Sequence, residues 1–196
     1  MNPKQAAQWA SLAYEDEEIG QKMASEWGFS FVLFSSGPHQ CIVCSRDGET
    51  VVAFRGTQIK SVRDLLTNLK SRQIKNKAGP GKVHQGYHNA AWSLVPLFKH
   101  LLTGRVVFVG HSMGGCLAIQ AGSICRKIVN AVYTFNAPKS GDPEFADAYI
   151  AQVFRFASKR DFAQSYPSDE PCWKHVGSKI TLASTGHSMD RIVAVL

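Results

Sequence analysis

Hydrophobic positions along the chain fall into two kinds of run. Four short, nearly continuous stretches, 51–54, 106–109, 131–135 and 153–156, are dominated by β-branched and aromatic residues. Apolar runs of that length suit strands buried on both faces. Helical stretches lie between them, near 87–103 and 112–128. Strand–helix–strand alternation predicts a mainly parallel sheet flanked by helices, an α/β fold. Pro96 falls inside the first of those helices and predicts a kink or break there. Upstream, residues 3–27 read as one amphipathic helix ending at Gly28, with Ala6, Ala10, Ala13 or Tyr14, and Met23 on its apolar side. The runs 31–34 and 41–44, separated by Ser35-Ser36-Gly37-Pro38, predict a hairpin. Residues 180–183 read as a last strand and 188–195 as a short final helix.

The 196 residues fit one domain, 1–196, with a sizeable core. A 44% hydrophobic and 19% charged composition excludes a disordered chain, a coiled coil and a fibre. No uncharged apolar stretch approaches the roughly 20 residues of a membrane span. The formal charge of +7 favours an anionic partner. No nucleic-acid-binding module is present, which leaves anionic lipid headgroups or an acidic protein. Five cysteines cannot all pair with one another. Cys41 and Cys44 form a CxxC, but no second ligand pair follows, so neither zinc nor any other metal is expected. They read as reduced strand cysteines. The N-terminus lacks the basic and apolar regions of a signal peptide, and Glu15-Asp16-Glu17-Glu18 stands where cleavage would occur. The expectation is a cytoplasmic protein, or one exported by a route needing no such peptide, such as a bacterial effector.

The chemistry centres on Gly110-His111-Ser112-Met113-Gly114, a G-x-S-x-G between a buried strand and a helix. In that context the pattern is a nucleophile elbow, a sharp turn that lifts a serine hydroxyl above the sheet edge. Side chains at Gly110 and Gly114 would clash in so tight a turn. The following helix N-terminus points amides at a developing oxyanion.

A serine nucleophile needs a base, and the base needs an orienting acid. In this fold they follow in the order Ser, Asp or Glu, His. Asp161 comes directly after the strand near 153–158, at the edge where ligands of open α/β sheets collect. Asp142 and Asp147 belong to the preceding crossover. Of the later histidines, His187 follows the last strand and is taken as the base, and His175 precedes that strand and reads as structural. The other histidines, His111 among them, precede or adjoin the elbow and do not fit the order.

Together these residues resemble the class 3 lipases, the fungal-lipase-like branch of the α/β hydrolases. Gln8-Trp9-Ala10-Ser11-Leu12-Ala13-Tyr14 is similar to the family's opening helix. Val51-Val52-Ala53-Phe54-Arg55-Gly56-Thr57 resembles its strand into the oxyanion loop, and Val83-His84-Gln85-Gly86-Tyr87 its V-H-x-G-aromatic turn. The elbow continues into Gly115, and Thr134-Phe135-Asn136-Ala137-Pro138-Lys139-Ser140-Gly141-Asp142 resembles T-F-G-x-P-R-x-G-D. Asn136 replaces the usual glycine, Lys139 the usual arginine, and the Val-Pro that commonly follows the acid is absent after Asp161. The resemblance implies Ser112 as nucleophile, Asp161 as acid and His187 as base. It also implies an oxyanion hole formed by the Thr57 hydroxyl and backbone N–H with the Met113 N–H. It places a lid over the region after Thr57. There Ile59, Val62, Leu65, Leu66 and Leu69 recur at helical spacing among Lys60, Arg63, Lys70, Arg72, Lys75, Lys77 and Lys82. The chain is short for the family, so a minimal lid is expected.

The reading is a serine ester hydrolase on lipid, of lipase or phospholipase A1 type, using no cofactor and no metal. Its partners are a lipid or other acyl-ester substrate and an anionic membrane surface, with no nucleic acid. The alternatives are an esterase or thioesterase on a soluble substrate, and a non-catalytic lipase-like binding protein.

Overall fold

The computed structural model describes residues 1–57, 71–168 and 172–196. The sheet runs through the whole of it. Seven strands, β1 (Val32–Ser36), β2 (His39–Arg46), β3 (Glu49–Phe54), β6 (Arg105–His111), β7 (Val129–Phe135), β8 (Gln152–Lys159) and β9 (Lys179–Thr185), lie in the order β1-β2-β3-β6-β7-β8-β9. From β3 to β9 all neighbours are parallel, and β1 and β2 add an antiparallel hairpin at one edge. β4 (Gln73–Lys75) and β5 (Lys82–His84) form a separate antiparallel pair. The architecture is that of an α/β hydrolase.

Alternation along the strands explains the continuous apolar runs. Val52, Phe54, Val106 and Phe108 pack on one face, and Val51, Ala53, Val107 and Val109 on the other. Both faces are covered, so every position is buried. The helices α3 (Gln85–Phe98) and α4 (Met113–Ile124) cover the first face. The second lies under α1 (Pro3–Leu12), with α2 (Glu17–Glu26) at its margin and the late α6 (Met189–Val193) beside it. A short α5 (Pro143–Asp147) joins β7 to β8.

Two expectations need correction. The single helix over 3–27 is two helices. After Leu12 the amides of Tyr14 and Glu15 turn back onto the carbonyls of Ser11 and Leu12. The chain then restarts at Asp16, whose extended backbone (φ −67°, ψ 154°) caps α2. The acidic run starts this helix, because Glu17 and Glu18 favour the positive end of its dipole. Pro96 does not break α3. It falls one turn from the end, where few intrahelical bonds remain to lose, and the helix runs to Phe98 before tightening into a 3₁₀ turn at Lys99–Leu101. The apolar positions from Ile59 to Leu69 lie outside the described residues.

All five cysteines are free. Cys41 and Cys44 lie three positions apart on β2, so they pack on opposite faces of the sheet and cannot share a ligand or a bond. Burial pushes the Cys116 and Cys44 thiols up to about 12. Cys172 alone is exposed. The folded protein is therefore expected to react rapidly with a thiol reagent at Cys172 only, with the other four cysteines reacting after denaturation. Titration with a chromogenic disulfide, with and without urea, checks this.

Candidate active site

The carboxyl ends of all five parallel strands converge on one place. β6 delivers Ser112, which adopts φ 56° and ψ −128°, a position rarely taken by a non-glycine residue. Such strain costs of order 1–3 kcal/mol and persists only where its surroundings enforce it. The glycines show how they do. A Cβ on Gly110 would stand 2.2 Å from the Gly114 carbonyl oxygen, and one on Gly114 would stand 2.2 Å from the Phe54 carbonyl oxygen. One on Gly115 would stand 2.7 Å from Ala137. The turn is clamped between β3, β7 and the start of α4, and the Ser112 N–H bonds to the Phe135 carbonyl at 2.9 Å.

Asp161 follows β8 and His187 follows β9, and the structure brings them together. His187 Nδ1 lies 3.0 and 3.1 Å from the two Asp161 carboxylate oxygens. The Asp161 side chain is fully buried and also accepts the Ala163 N–H at 3.0 Å. A carboxylate only accepts, so Nδ1 of neutral His187 carries the proton and Nε2 presents a lone pair. That Nε2 is buried and has no hydrogen-bond partner among the described residues. Ser112 lies next to His111, whose ring stands 4.6 Å from that of His187, centroid to centroid. Catalytic hydrogen bonds often close only around substrate.

Thr57, after β3, donates its hydroxyl to Met113 Sδ at 3.3 Å, so the two residues proposed to stabilise an oxyanion are neighbours. The competing acids are committed elsewhere. Asp142 caps α5 through the Phe145 N–H, and Asp147 pairs with Lys174. His175 bonds through Nε2 to the Gln164 carbonyl at 2.8 Å and has no bond to Asp161.

Residues 51–170 match the family described as Lipase (class 3). The chain belongs to the class 3 lipases. Among curated proteins, it is 33% identical over 95 residues to the GPI inositol-deacylase of Aspergillus oryzae, a match covering 45% of this chain and 8% of that protein. The chain thus spans under a tenth of that relative's length. Among solved structures it resembles lipase II from Rhizopus niveus (23% identity, TM-score 0.76, 92% of this chain and 79% of that one). The lipase from Rhizopus microsporus var. chinensis is similar (22%, TM-score 0.75, 91% and 72%). These likenesses show the α/β-hydrolase fold.

Within this class 3 lipase fold, three polar residues of the site escaped the sequence reading. In the sequence Tyr14 reads as part of an apolar helix face, His111 adjoins the elbow outside the expected order, and Asn136 stands only as a replacement for glycine. Asn136 has φ 50°, the left-handed region where asparagine is the best tolerated alternative to glycine. Its Nδ2 donates to Ser158 Oγ and to the Gly186 carbonyl, both at 3.1 Å, and its Oδ1 accepts the Ser158 N–H at 2.8 Å. The signal in the sequence is asparagine standing where the family usually has glycine.

Burial holds three histidines around this end of the sheet neutral. It pushes His111 down to about 3, with the nearby His187 adding to the effect, and His84 and His175 down to about 4. The unfolded chain takes up protons near pH 6.5, whereas the folded chain does not until near pH 4. Stability is therefore full above about pH 6.5 and falls as the pH drops toward 4. His84 and His111 are almost wholly buried, and each can contribute up to about 1.4 kcal/mol per pH unit in that window. Urea denaturation from about pH 7 down to 4.5 should show this decline, and a flat profile would contradict it.

Proposed function

We propose that Ser112, Asp161 and His187 act as a catalytic triad that cleaves a carboxylic ester of a lipid through an acyl-enzyme. The observation that carries this reading is the buried Nε2 of His187, without a hydrogen-bond partner among the described residues, on a ring whose other nitrogen is held by Asp161 at 3.0 Å and which stands 4.6 Å from the ring of His111, the residue before the strained Ser112. His187 takes the proton of Ser112 Oγ as that oxygen attacks the ester carbonyl. Asp161 fixes the tautomer and stabilises the imidazolium. His187 then returns the proton to the departing alcohol. Thr57 and Met113 stabilise the tetrahedral oxyanion, and loss of one such donor typically costs roughly 3–4 kcal/mol. Water hydrolyses the acyl-enzyme with His187 again as base.

For the substrate we infer a phospholipid cleaved in the manner of phospholipase A1. Between Asp64 and Asp142 the sequence holds no acidic residue, and the β4–β5 hairpin carries exposed Arg72, Lys75, Lys77 and Lys82. Each cation near an anionic surface adds about 1 kcal/mol of attraction. The inositol-deacylase relative is named for removing an acyl group from a lipid inositol, which fits a phospholipid better than a neutral fat.

Ser112→Ala should lower turnover on phosphatidylglycerol vesicles by about 10⁶ while leaving the fold intact. Asp161→Asn and His187→Ala should also be strongly impaired, whereas His175→Ala should lose stability rather than chemistry. Near-wild-type hydrolysis by Ser112→Ala would sink the triad, and a fully folded but inert wild type would favour a binding protein. Inactive Ser112→Ala protein should bind vesicles more tightly as anionic lipid rises and more weakly in salt, where the Debye length falls to about 3 Å at 1 M. Binding that survives charge reversal at Arg72, Lys75, Lys77 and Lys82 would remove this hairpin from the docking surface.

A further inference from the structure

Three segments far apart in sequence meet at the Tyr14 hydroxyl, and His111 carries the contact on to a fourth. The Tyr14 hydroxyl stands 2.9 Å from His111 Nδ1, and the opposite ring nitrogen, Nε2, stands 2.7 Å from the carbonyl oxygen of His187. A carbonyl only accepts, so Nε2 carries the proton and Nδ1 accepts from the Tyr14 O–H. Neutral His111 is therefore locked in one tautomer, with both nitrogens used. The Gly56 backbone also hydrogen-bonds the Tyr14 hydroxyl. Contact there is so close that a Cβ on Gly56 would stand 2.0 Å from it and 2.7 Å from the His111 carbonyl oxygen. Arg55 secures the other end, donating to the Tyr14 carbonyl at 3.3 Å and to Gln40 Oε1 at 2.8 Å.

We propose that Tyr14 and His111 form a positioning strut that sets the His187 loop and the Thr57 loop at a fixed distance from Ser112. The proposal rests on the triad reading above. The strut begins at the residue before Thr57, passes through the residue before Ser112, and ends on the main chain of His187. It thus meets the chain neighbours of Thr57 and Ser112 and the backbone of His187, with the His111 ring 4.6 Å from the His187 ring. Asn136 supports the same loop from the other side through the Gly186 carbonyl, and the Gly186 N–H bonds to the Lys159 carbonyl at 3.1 Å. The Asp161 carboxylate sets the ring's orientation. The strut sets where the ring stands. This is also a reason for the break between α1 and α2: a continued helix would carry Tyr14 along α1 instead of turning it onto the elbow.

The test separates positioning from mere support of the fold. His111→Leu should lower kcat about 100-fold at nearly constant KM, since displacing a catalytic group by about 1 Å can cost that much. Tyr14→Phe, which removes only the hydroxyl, should lower kcat about tenfold. His111→Gln places an amide N–H where Nε2–H stood and should recover most of the loss. Phe98→Leu, a buried change outside the strut, serves as a control for lost stability and should leave kcat unchanged at a similar fall in Tm. The downfield proton resonance of His187 Nδ1–H gives a readout independent of turnover, and it should broaden or shift in His111→Leu and Tyr14→Phe. An unchanged resonance with kcat within twofold of wild type would overturn the proposal, as would a loss of kcat in Phe98→Leu equal to that in His111→Leu. If Ser112→Ala remains active while the resonance still responds, the triad reading fails and the strut stands.

Discussion

Ser112 is held at φ 56° and ψ −128°, and the rest of the site is arranged around that one strained residue. The strain is affordable only because its neighbours leave the backbone no room to relax. Gly110 lies against the Gly114 carbonyl, Gly114 against the Phe54 carbonyl, and Gly115 against Ala137. These are close approaches of main chain or methyl, so even one added methyl group would have to displace β3 or α4. The same crowding brings the end of β3 against the elbow, and that proximity lets Thr57 reach Met113. The steric constraint that lifts the serine thus also delivers the residue that follows β3.

The remaining groups are fixed by hydrogen bonds to main chain more than to each other. His187 is reached through its own carbonyl by His111 and through the carbonyl of Gly186 by Asn136. Only its Nδ1 is held by a charged partner, Asp161. A neutral strut is the better device beside a base. A buried ionised neighbour would need its own compensation and would bias the protonation of His187 directly. Burial keeps His111 neutral down to about pH 3, so the strut keeps its tautomer while the base cycles its proton.

The core strands were legible in the sequence because burial on both faces removes the alternation that otherwise blurs a strand. The runs at 51–54, 106–109, 131–135 and 153–156 fall inside β3, β6, β7 and β8. The pairing of Asp161 with His187 was legible from chain order, since each follows a strand that ends at the same edge. The break after Leu12 was not, because good helix formers stand on both sides of Tyr14, alanines before it and glutamates after it, and carry helical character straight through it. Propensity cannot show that an aromatic residue leaves the helix to meet a histidine 97 positions away. Pro96 misled for the opposite reason: its local penalty is real, but it falls where the helix was about to end.

Tyr14, His111 and Asn136 were missed because each looks like an ordinary core residue when read alone. Their importance lies in which carbonyl or hydroxyl they meet, and that is a property of the closed sheet. Composition offers one clue in hindsight. A polar residue inside an otherwise apolar or glycine-rich motif must find buried partners or cost stability. His111 in the elbow and Asn136 after β7 are such residues, and both find those partners at the His187 loop. In a sheet whose five parallel strands end at one edge, the polar residues just past those ends lie within reach of one another and of one another's main chain. The network that holds the base is therefore assembled by the same convergence that assembles the triad.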